Sequence, residues 1–298
     1  MSEPYVIGVD LGGTAIKMGR FSPKGECLNA VTLPTPQPPY PDAVLKAAVQ
    51  GIQELDPEDR AIAIGMGIPG PVDAAGRVAR RAINLGWYDV PVSDTLEHVT
   101  AKPTVICNDA NCAGLGEAWL GAGSQFQNLI LLTLGTGVGG AIILNGELFV
   151  GRDGTAGELG LITLDYNGPP CNSGNRGSLE QHVSVQAIRR RQGCEPHELD
   201  QRARQGDPVA IAFWQEYGRE LAAGIASLVY VLTPEAVIIG GGISAASDLF
   251  FPSLMSELEA RVLPTSRNNL HCLRATLGNQ AGMVGAAKLA WQFVKQRL

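Results

Sequence analysis

Asn108 and Asp109 stand where an apolar run, 104–107, gives way to a stretch of small and apolar residues, 110–120. A strand ending where a helix begins is where α/β folds display reactive side chains. A carboxylate there can accept the proton of a hydroxyl nucleophile and hold it in line for phosphoryl transfer, while metal and backbone donors absorb charge. The same position suits Asp109 as the helix cap, and the two roles are compatible. Two glycine turns would serve that chemistry, Gly12-Gly13-Thr14 and Gly135-Thr136-Gly137, each after an apolar run. Glycine lets backbone N–H groups approach phosphate oxygens, and threonine adds a hydroxyl donor. Asp10, at the end of the first run, would sit beside those phosphates and could hold Mg2+ through water.

Gly135, Gly137 and Gly140 also satisfy G-x-G-x-x-G, with Glu158 near the distance of a ribose-binding acid. A dinucleotide turn must open a helix, whereas residues 141–146, AIILNG, read as a strand and an Asn-Gly hairpin. No G-x-x-x-x-G-K-[ST] occurs either. Residues 171–180, CNSGNRGSLE, are small, polar and glycine-rich and run into a helical pattern expected over about 178–192. There Ser178 and Gln181 suit a capping box, which would present Glu180.

The elements that must position these residues follow from periodicity. Strands are expected over 5–10, 15–21 and near 27–33, an antiparallel meander. Asp42 can cap a helix whose inward face is Leu45, Ala48, Val49 and Ile52. Further strands are expected over 61–66, 104–107, 128–134, 141–144 and 148–150. Asp207-Pro208 opens a long helix to about residue 232, in cap-then-proline order. A strand over 236–239, the turn Gly240-Gly241-Gly242 and helices near 247–262 and 283–296 complete the chain. The order of apolar strand, glycine turn, strand, short turn and strand occurs twice, as in a diverged duplication of one nucleotide-binding half.

With 298 residues, 45% of them hydrophobic, the chain can build two packed domains. A formal net charge of -6 argues against holding nucleic acid by phosphate neutralisation. The N-terminus has no signal-peptide pattern and no apolar run approaches the ~18 residues of a membrane span, so a cytoplasmic protein is expected. Six cysteines without CxxC spacing are expected to be reduced and mostly buried.

Several motifs occur together in one order: Asp10-Leu11-Gly12-Gly13-Thr14 with Lys17, Gly67-Ile68-Pro69-Gly70, Asn84-Leu85-Gly86-Trp87, Asn108-Asp109-Ala110-Asn111, residues 134–140, Ala156-Gly157-Glu158-Leu159-Gly160 and Gly240-Gly241-Gly242. In that combination the chain resembles the ROK family of sugar kinases and repressors over nearly its whole length. The resemblance implies an α/β protein of actin-like ATPase (ribonuclease H-like) fold, two α/β domains flanking a cleft. Residues 1–118 plus 284–298 would form the small domain, with the first phosphate turn and the catalytic carboxylate, and 119–283 the larger. It implies ATP as donor, Mg2+ as cofactor and glucose as the usual acceptor, with Asp109 as base. Sugar ligands would be Gly67, Asn84, Asn108, Glu158 and Glu180. ATP contacts would come from Asp10, Gly12, Gly13, Thr14 and Lys17, from Gly135, Thr136, Gly137 and Gly139, and from Gly240, Gly241 and Gly242. Trp87 is expected to pack rather than to carry the sugar.

The family usually binds zinc with one histidine and three cysteines near residues 161–178. Here Leu161 replaces the histidine and Ser173 and Ser178 replace two cysteines, leaving Cys171, so no zinc is expected. On a continuous helix His182 and Cys194 would be ~18 Å apart at ~1.5 Å per residue, too far to share an ion. Losing the histidine's hydrogen bond to sugar, ~0.5–1.5 kcal/mol, predicts looser discrimination and leaves N-acetylmannosamine, mannose or fructose as alternative acceptors, or polyphosphate as donor. A sugar-responsive repressor is the contrasting reading; it would need a DNA-binding module ahead of the first strand and a more basic chain. By resemblance a homo-oligomer, a dimer, is expected, with no nucleic-acid or membrane partner.

Overall fold

The computed structural model describes residues 3–297. Its first sheet grows from β1 (Val6–Leu11), whose VIGVDL is almost wholly buried because both of its faces are covered. β1 runs antiparallel to β2 (Ala15–Phe21), and β2 to β3 (Cys27–Pro34). Most side chains of β3 reach solvent, as suits an edge strand. In α1 (Pro41–Leu55), Asp42 is not the cap: Tyr40 occupies that position. Pro41 opens the helix without an N–H to satisfy, and Asp42 lies in the first turn, where its charge complements the helix dipole.

β4 (Ile64–Ile68) adds parallel to β1. It starts later than its apolar run because side chains take the backbone groups of Ala61. Asp56 accepts from the Ala61 N–H at 3.1 Å and Lys102 Nζ donates to its carbonyl at 3.0 Å. The sequence pattern did not predict the small hairpin of β5 (Ala79–Ala82) and β6 (Trp87–Val90), nor α2 (Val92–Thr100). Trp87 is buried and donates from Nε1 to the Pro39 carbonyl at 2.7 Å, a packing role. β7 (Thr104–Asn108) then pairs parallel with β4, and α3 (Asp109–Leu120) leaves its end.

The second half repeats this construction. β8 (Leu129–Leu134), β9 (Val138–Leu144) and the stub β10 (Glu147–Leu148) form the meander. Asn145 and Gly146, with φ of 54° and 77°, make the two-residue hairpin turn that their sequence predicts. Next come α4 (Glu180–Val183), α5 (Val185–Gln192), α6 (Pro196–Arg204) and α7 (Pro208–Leu232). The helix expected over 178–192 is therefore two helices. Ser184 between them is extended, and its Oγ accepts from Ala187 N at 3.1 Å to cap α5. The capping box at Ser178 does not form; its Oγ is buried with no hydrogen-bond partner. At α7 the Asp207 carboxylate accepts from Val209 N at 2.9 Å, as cap-then-proline predicts. β11 (Ala236–Gly240), α8 (Ser247–Arg261), α9 (Pro264–Arg267), β12 (His271–Arg274) and α10 (Ala281–Lys295) follow.

The two sheets have orders β3-β2-β1-β4-β7 and β10-β9-β8-β11-β12, in each case three antiparallel strands followed by two parallel additions. This duplicated arrangement is the actin-like ATPase, ribonuclease H-like fold. Between the sheets lie α10, packed on β1 and β4, and α3, packed on β9. The two helices cross with bare backbone in contact. A Cβ at Gly285 would overlap the Cys112 carbonyl, and one at Gly116 the Ala281 carbonyl. No helix among the described residues is long and apolar enough to cross a membrane.

Candidate active site

Asp109 opens α3, yet Asn108 caps it. Asn108 Oδ1 accepts from Ala110 N at 2.9 Å and from Asn111 N at 3.1 Å, while its Nδ2 donates to the Gly70 carbonyl at 3.2 Å. With the cap supplied by its neighbour, Asp109 forms only a local bond, Oδ1 to Ala110 N at 2.8 Å. It lines two cavities at once. One, of about 70 Å³, is walled by Asn108, Asp109, Asn111, Gly139, Gly157 and Glu158. The other, of about 460 Å³, holds Asp10, Lys17, Asp109, the turn 135–137, Glu180 and Gly241. A third cavity, about 720 Å³, continues from the second through Thr133, Gly241, Asn279 and Ala281 to Gly240, Gly242 and Ser244. The result is one trough with Asp109 at the wall shared by its first two compartments. The smallest compartment falls below the ~300 Å³ at which ligand pockets begin, so a sugar held there must extend into the neighbouring space.

The second glycine turn faces the trough. Gly135 N donates to the Gly137 carbonyl at 2.9 Å, and Val138 N donates to Glu180 Oε2 at 2.9 Å. A side chain at Gly137 would overlap that carboxylate. Glu180 thus sits under the turn rather than among the walls of the small compartment that holds Glu158. The first turn reaches the trough through its flanks. Asp10 and Lys17, paired across β1 and β2, line the middle cavity, with Lys17 Nζ 3.9 Å from Asp10 Oδ2 and donating to the Asn279 carbonyl at 3.2 Å. Gly12, Gly13 and Thr14 line none of the three compartments. Thr35 Oγ1 donates to the Gly12 carbonyl at 2.7 Å and Gln37 Nε2 to that of Gly13 at 3.0 Å. Asn84 is exposed on the turn Ile83–Leu85, away from these walls. Gly67 is buried beside Asp109: a Cβ there would stand 3.7 Å from the Asp109 Cα.

The trough concentrates negative charge. Burial raises the Asp109 carboxyl above its ordinary value, despite hydrogen bonds from Ala110 N and the neighbouring backbone. Burial likewise raises Asp10, opposed by Lys17 and reinforced by Asp109, and it raises Glu158, reinforced by Asp109 and Glu180. Acids crowded in this way favour a bound cation. The carboxylate donor set facing the middle cavity fits Mg2+, a hard ion that prefers oxygen ligands.

The loop before α4 does not fit zinc. Cys171 is buried with Ser173 Oγ 3.3 Å from its sulfur, and Ser178 supplies a partnerless hydroxyl beside them. The Asn175 amide donates to the Leu161 carbonyl at 3.0 Å, so hydrogen bonds tie the loop. No group of three or more His, Cys, Asp and Glu side chains is gathered as a metal site among the described residues. His182 instead stands 3.4 Å from Glu220, on α7.

Two residues here were given no individual role by the sequence, although Asn111 lies in a quoted motif. Asn111, 2% exposed, lines the small compartment with an Oδ1 that has no partner. Glu117, fully buried on α3, accepts from Ala122 N at 2.9 Å, Thr276 N at 3.0 Å and Leu277 N at 2.8 Å. It holds the turn that walls the largest compartment. Its only sequence signal is a carboxylate between Gly116 and Ala118 on an otherwise apolar helix.

A family model described as the ROK family matches residues 6–293. Glucokinase of Thermotoga maritima is 35% identical, covering 100% of this chain and 99% of its own. The crystal structure of a ROK hexokinase from Thermus thermophilus superposes with a TM-score of 0.90 at 34% identity, over 98% of this chain and 99% of that one. That of a ROK family glucokinase from Streptomyces griseus in complex with glucose and AMPPNP gives 0.79 at 33%, over 97% and 99%. With the motifs in order, the duplicated sheets and a family match across nearly every residue, the chain belongs to the ROK family.

Proposed function

We propose that this protein transfers the γ-phosphoryl group of ATP to a hexose hydroxyl, glucose being the first acceptor to test. One observation carries the reading: Asp109 stands in the wall between a small polar compartment and a glycine-turn cavity that opens toward Gly240-Gly241-Gly242. The sugar lies against Asn108, Asn111 and Glu158, with Gly67 leaving room beside Asp109. The triphosphate lies against Thr136 and Gly137, and the adenosine against Gly240–Gly242 and the turn that Glu117 holds. Asp109 accepts the proton of the attacking hydroxyl, and its raised affinity for protons brings it closer to the operating pH. Asp10 would hold Mg2+ through water, and the ion would neutralise charge developing on the phosphates. Lys17 supplies a second cation beside Asp10.

The division into 1–118 plus 284–298 and 119–283 places both boundaries inside the crossed helices α3 and α10, so closure about that crossing would exclude water from the reaction. Leu161, in the place of the family histidine, favours a broadened acceptor range that includes N-acetylmannosamine, mannose and fructose. By family resemblance the protein acts as a cytoplasmic homodimer in carbohydrate metabolism, feeding glycolysis. Coupled ADP release from wild type and Asp109→Asn across several hexoses tests the proposal. Turnover on at least one hexose is expected for wild type, with a loss of about 10²–10⁴-fold in the variant. An unchanged variant rate removes Asp109 from the mechanism.

A further inference from the structure

Directly behind Asp109, on the side away from the trough, lie two thiols that phosphoryl transfer does not use. Cys107 in β7 and Cys112 in α3 pack with Ala286 of α10 in one small cluster ringed by Leu148, Val150 and Leu289. Both are free thiols. A Cβ on Gly67 would stand 3.3 Å from the Cys112 sulfur and 3.7 Å from the Asp109 Cα, so Cys112 and the backbone of Asp109 border the same point of β4.

The two sulfurs differ in access. Cys112 is 0% exposed, whereas Cys107, at 6%, forms part of the wall of a separate cavity of about 250 Å³. That cavity lies between residues 72–76, β7, residues 147–150 and the C-terminal half of α10; it shares no lining residue with the middle compartment of the trough and only Gly154 with the small one. A small oxidant in that cavity can approach Cys107 without crossing the middle compartment, whereas Cys112 is fully enclosed. Cys107 and Cys112 lie five residues apart across the junction of β7 and α3 and share that one cluster. A thiol on a cavity wall backed by a second, fully enclosed thiol has the layout of an attacking and a resolving cysteine.

We propose that Cys107 and Cys112 are a modification site at which a hydroperoxide forms a reversible disulfide that displaces Asp109 and halts phosphoryl transfer. The Cys107 thiolate attacks the peroxide, the O–O bond breaks and hydroxide leaves, taking a proton to become water. Cys112 then attacks the sulfenic sulfur, the S–S bond forms, the S–O bond breaks and a second water leaves. Two thiols are oxidised by two electrons and one peroxide is reduced; an external dithiol reverses the change by exchange. Joining the sulfurs by a bond of about 2.05 Å pulls the first turn of α3 onto β7. The segment between them, 108–111, carries the Asn108 cap and Asp109. The loss of activity rests on the reading of Asp109 as base; the bridge does not.

Hydrogen peroxide applied to the reduced full-length protein tests this. Non-reducing peptide mass spectrometry is expected to find Cys107 joined to Cys112, with two of the six thiols lost to a thiol reagent under denaturing conditions. Turnover should fall by about 100-fold or more and return with dithiothreitol. Cys112→Ala should give no bridge and a dimedone-trapped Cys107, and Cys107→Ala should keep its activity through the same treatment. Absence of the 107–112 peptide from the treated wild type, its formation with turnover unchanged, or equal inactivation of Cys107→Ala would each overturn the proposal. Because the bridge is read by mass in the wild type, a failure of Asp109 as base leaves that readout intact.

Discussion

Replacing Glu117 by Gln removes one negative charge from a fully buried site and asks an amide to do what a carboxylate does. Glu117 Oε1 accepts from Thr276 N at 3.0 Å and Leu277 N at 2.8 Å, and Oε2 from Ala122 N at 2.9 Å. An acceptor-only group satisfies three backbone donors; a glutamine must turn an NH2 toward at least one of them. The less costly orientation keeps the two bonds to 276–277 and sets the amide against Ala122 N. A hydrogen bond to a charged acceptor is worth about 1.5–3 kcal/mol. No longer burying a charge offsets part of that loss, so a net destabilisation of about 2 kcal/mol is expected. At about 2–4 °C per kcal/mol for a chain of this size, the melting temperature should fall by roughly 4–8 °C. The two surviving bonds are weaker, and the turn that they hold walls the largest compartment. The KM for ATP should therefore rise about three- to tenfold, as about 0.7–1.4 kcal/mol of lost positioning implies, with the KM for hexose nearly unchanged. Thermal melts with a two-substrate kinetic matrix read both effects. A melting point within about 1 °C of wild type, or a hexose KM that rises with that for ATP, would refute the assignment of Glu117 as the brace of the nucleotide wall.

As the base proposed above, Asp109 must be deprotonated, and burial raises its proton affinity, so the acidic limb of the kcat/KM profile against pH should lie above the ~3.9 of an ordinary aspartate; activity is retained above the limb and lost as pH falls through it, and a limb at or below ordinary aspartate contradicts the proposed role. Gly137→Ala sets a methyl against the Glu180 carboxylate; overpacking of this kind costs about 1–3 kcal/mol, and turnover should drop while hexose binding, measured by calorimetry without nucleotide, holds. Ser178→Ala deletes a buried hydroxyl with no partner; melting should be unchanged or up to about 1 kcal/mol more favourable, whereas a clear loss would restore a structural role to that oxygen.

The duplicated strand order was legible in the sequence because each half carries its own punctuation: an apolar run, a glycine turn, and a short hairpin such as Asn145-Gly146. Asp109 was legible because it follows an apolar strand and precedes a helix, although its neighbour Asn108 proved to be the cap. The break at Ser184 was hidden because residues 178–192 keep a helical composition through it, and because Ser178 and Gln181 offered a capping pattern that packing overrides by burying the serine. Glu117 and Asn111 were illegible for a different reason. A polar residue on a helix reads as solvent-facing until tertiary structure brings the 276–277 backbone or the small compartment against it. The placement of Glu180 beneath the second turn has the same origin, since Val138 N meets it from 42 residues away.

The rod formed by α3 has a consequence of its own. Asp109 is its first residue and Glu117 comes eight positions later, roughly 12 Å along the axis at ~1.5 Å per residue. In the proposed function one end meets the acceptor and the other steadies the wall of the donor's compartment. A tilt of this single lever would reach the second binding place without any relay of side chains. On that reading, any coupling between the two ligands should weaken if the rod is broken midway while both ends remain in place.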